Sequence, residues 1–204
     1  MKQNMTASRI KEIALPIFSE KGYEGAALSE IAAGVGIKKP SIYAHYANKE
    51  ALFLAVVEDM TEAYINHWQE IQNSTCDQSV EERLYTLFVE TVRYFGQNPL
   101  KVALWVRVWM FPPAKLKEQL VQKMKLVHRR LALDVSAILQ CGLDQRVTRS
   151  GEEEDMAIAY LSLLNGYLMR VICYGDIDYE RQAPIIWHYF WSGIDKRYAG
   201  KGTN

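Results

Sequence analysis

Nine consecutive residues, Lys38-Lys39-Pro40-Ser41-Ile42-Tyr43-Ala44-His45-Tyr46, concentrate the side chains of this sequence best suited to binding an anionic polymer. Two ammonium groups, a hydroxyl, two phenols and an imidazole can bond phosphate oxygens and the edges of bases. Lys49, at the start of the following helix, adds a cation where free backbone amides also attract phosphate. Ser29 stands upstream, near the start of another short helix. No comparable chemistry occurs elsewhere. The four histidines are scattered, and no Ser/His/Asp or Cys/His arrangement and no Gly-rich phosphate loop can be placed. Cys76, Cys141 and Cys173 lie far apart without metal-ligand spacing. The expectation is a binding protein and not an enzyme, with no metal and no cofactor.

The elements that position these groups follow from periodicity and punctuation. Apolar residues recur at helical spacing almost throughout, and no strand-length alternation bounded by hairpin turns is found, so the fold class is all-α. Leu28 to Val35 and Lys39 to Tyr46 read as two short helices around Gly36, with Ile31, Val35, Ile37 and Ile42 apolar and Ala32 where two helices approach closely. That is the spacing of a helix-turn-helix. Its second helix would enter the DNA major groove with its N-terminal residues at the base edges, while Ile42 faces inward. About nine helices are expected in all. The first runs from a Thr6 N-cap to Gly22 with a kink at Pro16, which removes a backbone donor. Asn48 caps the fourth, and Ser79 with Glu82 forms a capping box. Asn98 then caps a helix with Pro99 in its first turn, and Pro112-Pro113 leads into a long one ending at Gly142. A second capping box at Ser150-Gly151-Glu152-Glu153 opens a helix to Gly175, and the last spans Tyr179 to Ala199.

Phe18-Ser19-Glu20-Lys21-Gly22-Tyr23, Leu28-Ser29-Glu30-Ile31-Ala32, Gly34-Val35-Gly36-Ile37 running into the Lys38–Tyr46 stretch, and Asn48-Lys49-Glu50-Ala51-Leu52 together resemble the tetracycline-repressor (TetR) family of one-component transcriptional regulators. The likeness covers about 45 N-terminal residues. It implies a three-helix helix-turn-helix DNA-binding domain at 1–50 and a larger helical-bundle effector-binding and dimerisation domain at 51–204. The DNA-binding residues would be Lys38, Lys39, Pro40, Ser41, Tyr43, His45, Tyr46, Lys49 and Ser29. Ala26-Ala27 stands where the family often has threonines, so either Ser29 caps the second helix or that contact is absent.

The resemblance also implies an effector cavity walled by the later helices. Trp68, Tyr85, Phe88, Trp105, Trp109 and Met124 are the candidate lining, although any one such side chain is more often solid core. Arg107 interrupts an apolar run and lies about 120° around the helix from Lys101, so the two cannot share one solvated stripe. It could bind an acidic effector, pair with a carboxylate near the DNA-binding domain, or extend to water. His128 and Asn165 are polar candidates for the pocket, with core or surface roles as the alternative. The helices at about 150–175 and 179–199 carry more apolar surface than one core can cover, which fits the family's pairing of these helices between two subunits. The implied partners are double-stranded operator DNA, a second copy of the chain and a small hydrophobic or aromatic effector.

The 204 residues carry 24 Lys+Arg against 24 Asp+Glu, and 49% are hydrophobic. That share excludes a disordered chain, and no uninterrupted apolar run reaches the roughly 20 residues that span a bilayer, so no membrane partner and a cytoplasmic location are expected. Zero net charge argues against a nonspecific DNA coat. It conceals a division, however: residues 1–50 hold seven Lys+Arg and five Asp+Glu, residues 51–204 hold 17 and 19.

Overall fold

A computed structural model describes residues 2–148, 153–174 and 178–196. Among them are nine α-helices and no strand: α1 (Lys2–Gly25), α2 (Leu28–Val35), α3 (Lys39–Ile42), α4 (Lys49–Ser74), α5 (Val80–Gly96), α6 (Pro99–Met110), α7 (Lys117–Asp144), α8 (Glu153–Tyr174) and α9 (Tyr179–Ile194). A single 3-10 turn, Ala114–Leu116, follows Pro112-Pro113 and precedes α7. Leu116 in that turn is buried, which gives the turn an apolar anchor.

The chain divides into two compact units. The first comprises residues 1–65 and 98–125, the second 66–97 and 126–204. This cuts across a boundary at residue 50, because α6 and the start of α7 join the N-terminal helices. Leu104, Val108, Leu116 and Leu120 enter one core with Ile10, Ala14, Phe18, Ile31, Ile42, Leu52, Phe53 and Val57. Each of these side chains larger than alanine contributes about 1.5–3 kcal/mol of apolar burial. Phe18 meets Phe53 edge to face at 4.9 Å, a geometry worth about 0.5–1.5 kcal/mol beyond burial.

The second unit is built around rings. Phe88 stacks on Tyr167 at 5.4 Å, Trp187 on Trp191 at 5.9 Å, and the buried Tyr160 hydroxyl donates to the Leu84 carbonyl at 2.9 Å. Helix α8 is long and apolar enough by length and composition to cross a membrane, more than the interrupted sequence suggests. Its Met156, Tyr160, Leu161, Leu164, Tyr167 and Leu168 are instead buried within the unit, where α5 and α9 pack on it.

Several helix ends differ from the sequence expectation. Helix α1 begins upstream of Thr6 and continues through Pro16. The residue with non-helical dihedrals is Gly22, at φ 69° and ψ 179°, a left-handed φ that favours glycine. Ile10, Ala14 and Phe18 are buried on both sides of Pro16. The Asn98 side chain makes no cap bond to α6; its backbone carbonyl accepts from Val102 N. Helix α9 stops at Ile194, where Asp195 turns extended and bridges to Thr148. The Asn48 and Ser79/Glu82 caps form as the sequence predicts. The expected box at Ser150–Glu153, the Gly175 stop and the chain end beyond Lys196 lie wholly or partly outside the described residues.

Candidate nucleic-acid interface

Helices α2 and α3 are joined by Gly36, whose φ of 79° and ψ of 28° are left-handed. Its amide donates to the Ala33 carbonyl at 3.1 Å and that of Ile37 to the Ala32 carbonyl at 3.0 Å, closing the helix end and redirecting the chain. A Cβ at Gly36 would meet nothing, so dihedral angle and not space requires glycine there. Gly34 is the opposite case, since a Cβ would lie 2.6 Å from Ile13 Cγ2 of α1. Helix α2 has Ala27 at its N-cap with no side-chain cap bond. Ser29 is exposed, which resolves the open alternative: the cap is absent.

Lys38 is extended at φ −79° and ψ 145°, and Pro40 sits in the first turn of α3, where its fixed φ fits. Ile42 is fully buried in the core beneath. With that residue inward, Lys38, Lys39, Pro40, Ser41 and Tyr43 face solvent, Tyr43 at 48% exposure. The helix is shorter than expected. It ends at Ile42, and residues through Tyr46 form hydrogen-bonded turns, His45 N and Tyr46 N both donating to the Ile42 carbonyl at 2.9 Å. Tyr46 explains the tightening. Its half-buried ring packs on the core and its hydroxyl donates to the Ala7 carbonyl of α1 at 3.0 Å, so the chain must turn back toward α1. Burial raises the Tyr46 pKa. Tyr46 is thus a brace for the motif, and His45 is half-buried beside it.

Lys49 is also partly committed. Its ammonium lies 4.7 Å from the Tyr23 ring centroid and donates to the Glu24 carbonyl at 3.1 Å. An ammonium has three donors, so this anchoring leaves capacity for a phosphate. Burial, reinforced by Glu50 and Glu24, raises the Tyr23 pKa. Nothing local in the sequence links Tyr23 to Lys49; only the fold brings them together. Ion pairs Lys21–Glu30 and Lys11–Asp59 tie α1 to α2 and to α4.

The nine effector candidates fall in both units. In the first, Trp105 and Met124 pack against the core, Trp105 meeting Tyr64 edge to face at 5.4 Å, while Trp109 is exposed. Arg107 takes a partner that none of the three sequence alternatives named. Its Nε and Nη2 donate to the backbone carbonyls of Ser19 and Glu20 at 2.9 and 2.8 Å. In the second unit Trp68 and Phe88 are fully buried, Tyr85 lies 5.5 Å from Trp187, and His128 Nε2 is 3.2 Å from Asn165 Nδ2. That unit also has a cleft of about 610 Å³ lined by Ser162, Leu163, Gly166, Tyr167, Arg170, Gln182, Ile185 and Ile186, none of them among the nine.

Residues 10–56 match the family described as bacterial regulatory proteins, tetR family. That segment contains α2, the Gly36 turn and α3 entire. The chain is 43% identical over 58 residues to the biofilm operon icaADBC HTH-type negative transcriptional regulator IcaR of Staphylococcus epidermidis, a match spanning 28% of the chain and 31% of that protein, under a third of its length. It is 28% identical over 160 residues to the HTH-type transcriptional regulator YdgC of Bacillus subtilis, covering 70% of the chain and 78% of that protein. In fold it is similar to the transcriptional regulator FadR of Bacillus subtilis, solved in complex with stearoyl-CoA, at a TM-score of 0.75 and 16% identity over 92% of the chain and 98% of FadR. The relatives that these matches name are transcriptional regulators.

Proposed function

We propose that this chain is a homodimeric, ligand-responsive repressor of a palindromic operator, released by a small hydrophobic or aromatic effector. The observation that carries the reading is the solvent-facing set Lys38, Lys39, Pro40, Ser41 and Tyr43 above fully buried Ile42, an arrangement suited to base edges and phosphates in a major groove. His45 and Ser29 flank that set, and Tyr46 and Lys49 hold it to α1. Residues 1–50 form the reading domain, and residues 51–204 serve effector binding and dimerisation.

Pairing through α8 and α9 is supported by exposed Ile158, Tyr174, Ile185 and Tyr189, large apolar groups that a partner would cover. Two such domains about a two-fold axis would contact half-sites ~34 Å apart, or a multiple of that. An effector binding one of two domain arrangements more tightly shifts the population away from the DNA-competent one, with reciprocal coupling. The fatty-acyl ligand of FadR supports an apolar effector, for which Trp68, Tyr85, Phe88, Trp105, Trp109 and Met124, with Arg107, His128 and Asn165 as polar partners, are the candidate contacts. Cytoplasmic location accords with that role.

Selection of bound duplex from a random pool, followed by footprinting, tests the reading. A discrete protected palindrome is expected, and uniform coverage would reject it. On the selected duplex, Lys49→Ala is expected to lower the slope of log K against log salt by about one, the signature of one lost phosphate contact.

A further inference from the structure

The regular part of α1 ends at the Gly22 break, and the last carbonyls of a helix lack intrahelical donors. Here two carbonyls just before the break are taken by a side chain of α6. Arg107 Nε donates to Ser19 O at 2.9 Å and Nη2 to Glu20 O at 2.8 Å. A planar guanidinium can serve two acceptors at once, and its charge complements the negative end of the helix dipole. Ser19 is itself buried, and its hydroxyl, which has one proton, lies 2.7 Å from the Leu15 carbonyl of α1 and 2.8 Å from the Leu100 carbonyl of α6, a second point at which α6 approaches the same turn. The guanidinium also covers Gly22, where a Cβ would sit 3.4 Å from Nη1. Immediately downstream, Tyr23 and Glu24 receive the Lys49 ammonium. The Ser19–Glu24 stretch is thus gripped by α6 through Arg107 and by the first turn of α4 through Lys49.

We propose that Arg107 is a positioning residue for DNA binding, holding the C-terminal turn of α1 so that Tyr23 and Glu24 set Lys49, and with it the start of α4, in the DNA-competent placement. The proposal rests on the operator-binding reading above. It makes α6 part of the reading machinery, although none of its residues belongs to the helix-turn-helix.

The test uses the full chain and the duplex that the wild type selects from a random pool. Arg107→Met keeps the stem and removes the donors, Arg107→Lys keeps the charge but not the fork, and Lys49→Met removes the second grip. Arg107→Met is expected to weaken duplex binding about tenfold while the helical circular dichroism and the thermal midpoint stay near wild type. Arg107→Lys should recover part of that loss, and the Arg107→Met/Lys49→Met double variant should bind little more weakly than Lys49→Met alone. Binding by Arg107→Met within about twofold of wild type would overturn the proposal, as would losses that simply multiply in the double variant. Should Arg107→Met not fold, Arg107→Lys carries the same cycle with a smaller expected loss. A wild type that selects no duplex overturns the operator reading itself, which separates the two failures.

Discussion

The two units use polar side chains in opposite ways. In the first, directional bonds join elements far apart in sequence: Tyr46 to Ala7, Lys49 to Glu24, Ser19 to Leu100 and Arg107 to Ser19 and Glu20. In the second, rings pack on rings, the Tyr160 bond to Leu84 aside, and among the described residues the buried indole nitrogens of Trp187 and Trp191 have no hydrogen-bond partner. Directional bonds specify one geometry, as a surface matched to a groove requires. Ring packing specifies volume more than geometry, and such a core can rearrange at lower cost, since volume-conserving changes in a core are tolerated best. The contrast fits a rigid reader and an adaptable body.

The largest expected effect tests the ring-packed core. Trp187→Ala should cost about 3–5 kcal/mol in urea unfolding. Trp187→Phe, which keeps a ring and removes an unbonded N–H, should cost far less, because no hydrogen bond worth about 0.5–1.5 kcal/mol is lost. Equal losses in the two variants would erase the contrast between the units. Next comes the reading surface. Tyr43→Ala should weaken operator binding by about 1–3 kcal/mol while the thermal midpoint is unchanged, since Tyr43 is 48% exposed. Wild-type affinity in a folded Tyr43→Ala protein would remove α3 from the interface.

A smaller effect concerns the second unit's own directional device, the Ser79/Glu82 box. Ser79→Ala should cost about 1 kcal/mol. The Ser79 hydroxyl, and then its amide, lower the Glu82 pKa from 4.5. A depressed carboxyl stabilises the fold when ionised, so the contribution is present above the unfolded value and is lost as pH falls through the lowered one. The stability gap between wild type and Glu82→Gln should therefore close on acidification below 4.5, which denaturation at stepped pH will show. Smallest is the exposed Lys21–Glu30 pair, where a double-mutant cycle should return about 0.2–1 kcal/mol, decreasing with salt. A larger coupling would mean that ion pairs, and not the core, orient α2.

Legibility followed the range of the interaction. The α2 bounds, the left-handed Gly36, buried Ile42 and the Asn48 and Ser79 caps were all readable because each depends on a few neighbouring residues. The length of α3 was not, since Tyr46 bonds to Ala7, 39 positions away.

By itself, then, the sequence determined the helical class, the helix-turn-helix and the solvent-facing cations and hydroxyls of α3, all consequences of periodicity, dihedral preference and capping over a few residues. Only the tertiary structure decided that α6 shares a compact unit with the helix-turn-helix, that the Tyr46 hydroxyl bonds to Ala7, and that Arg107 meets two backbone carbonyls. These contacts join positions up to 88 residues apart, and every backbone carbonyl offers the same acceptor whatever its side chain, so no pattern in the residues could point to the two that Arg107 takes.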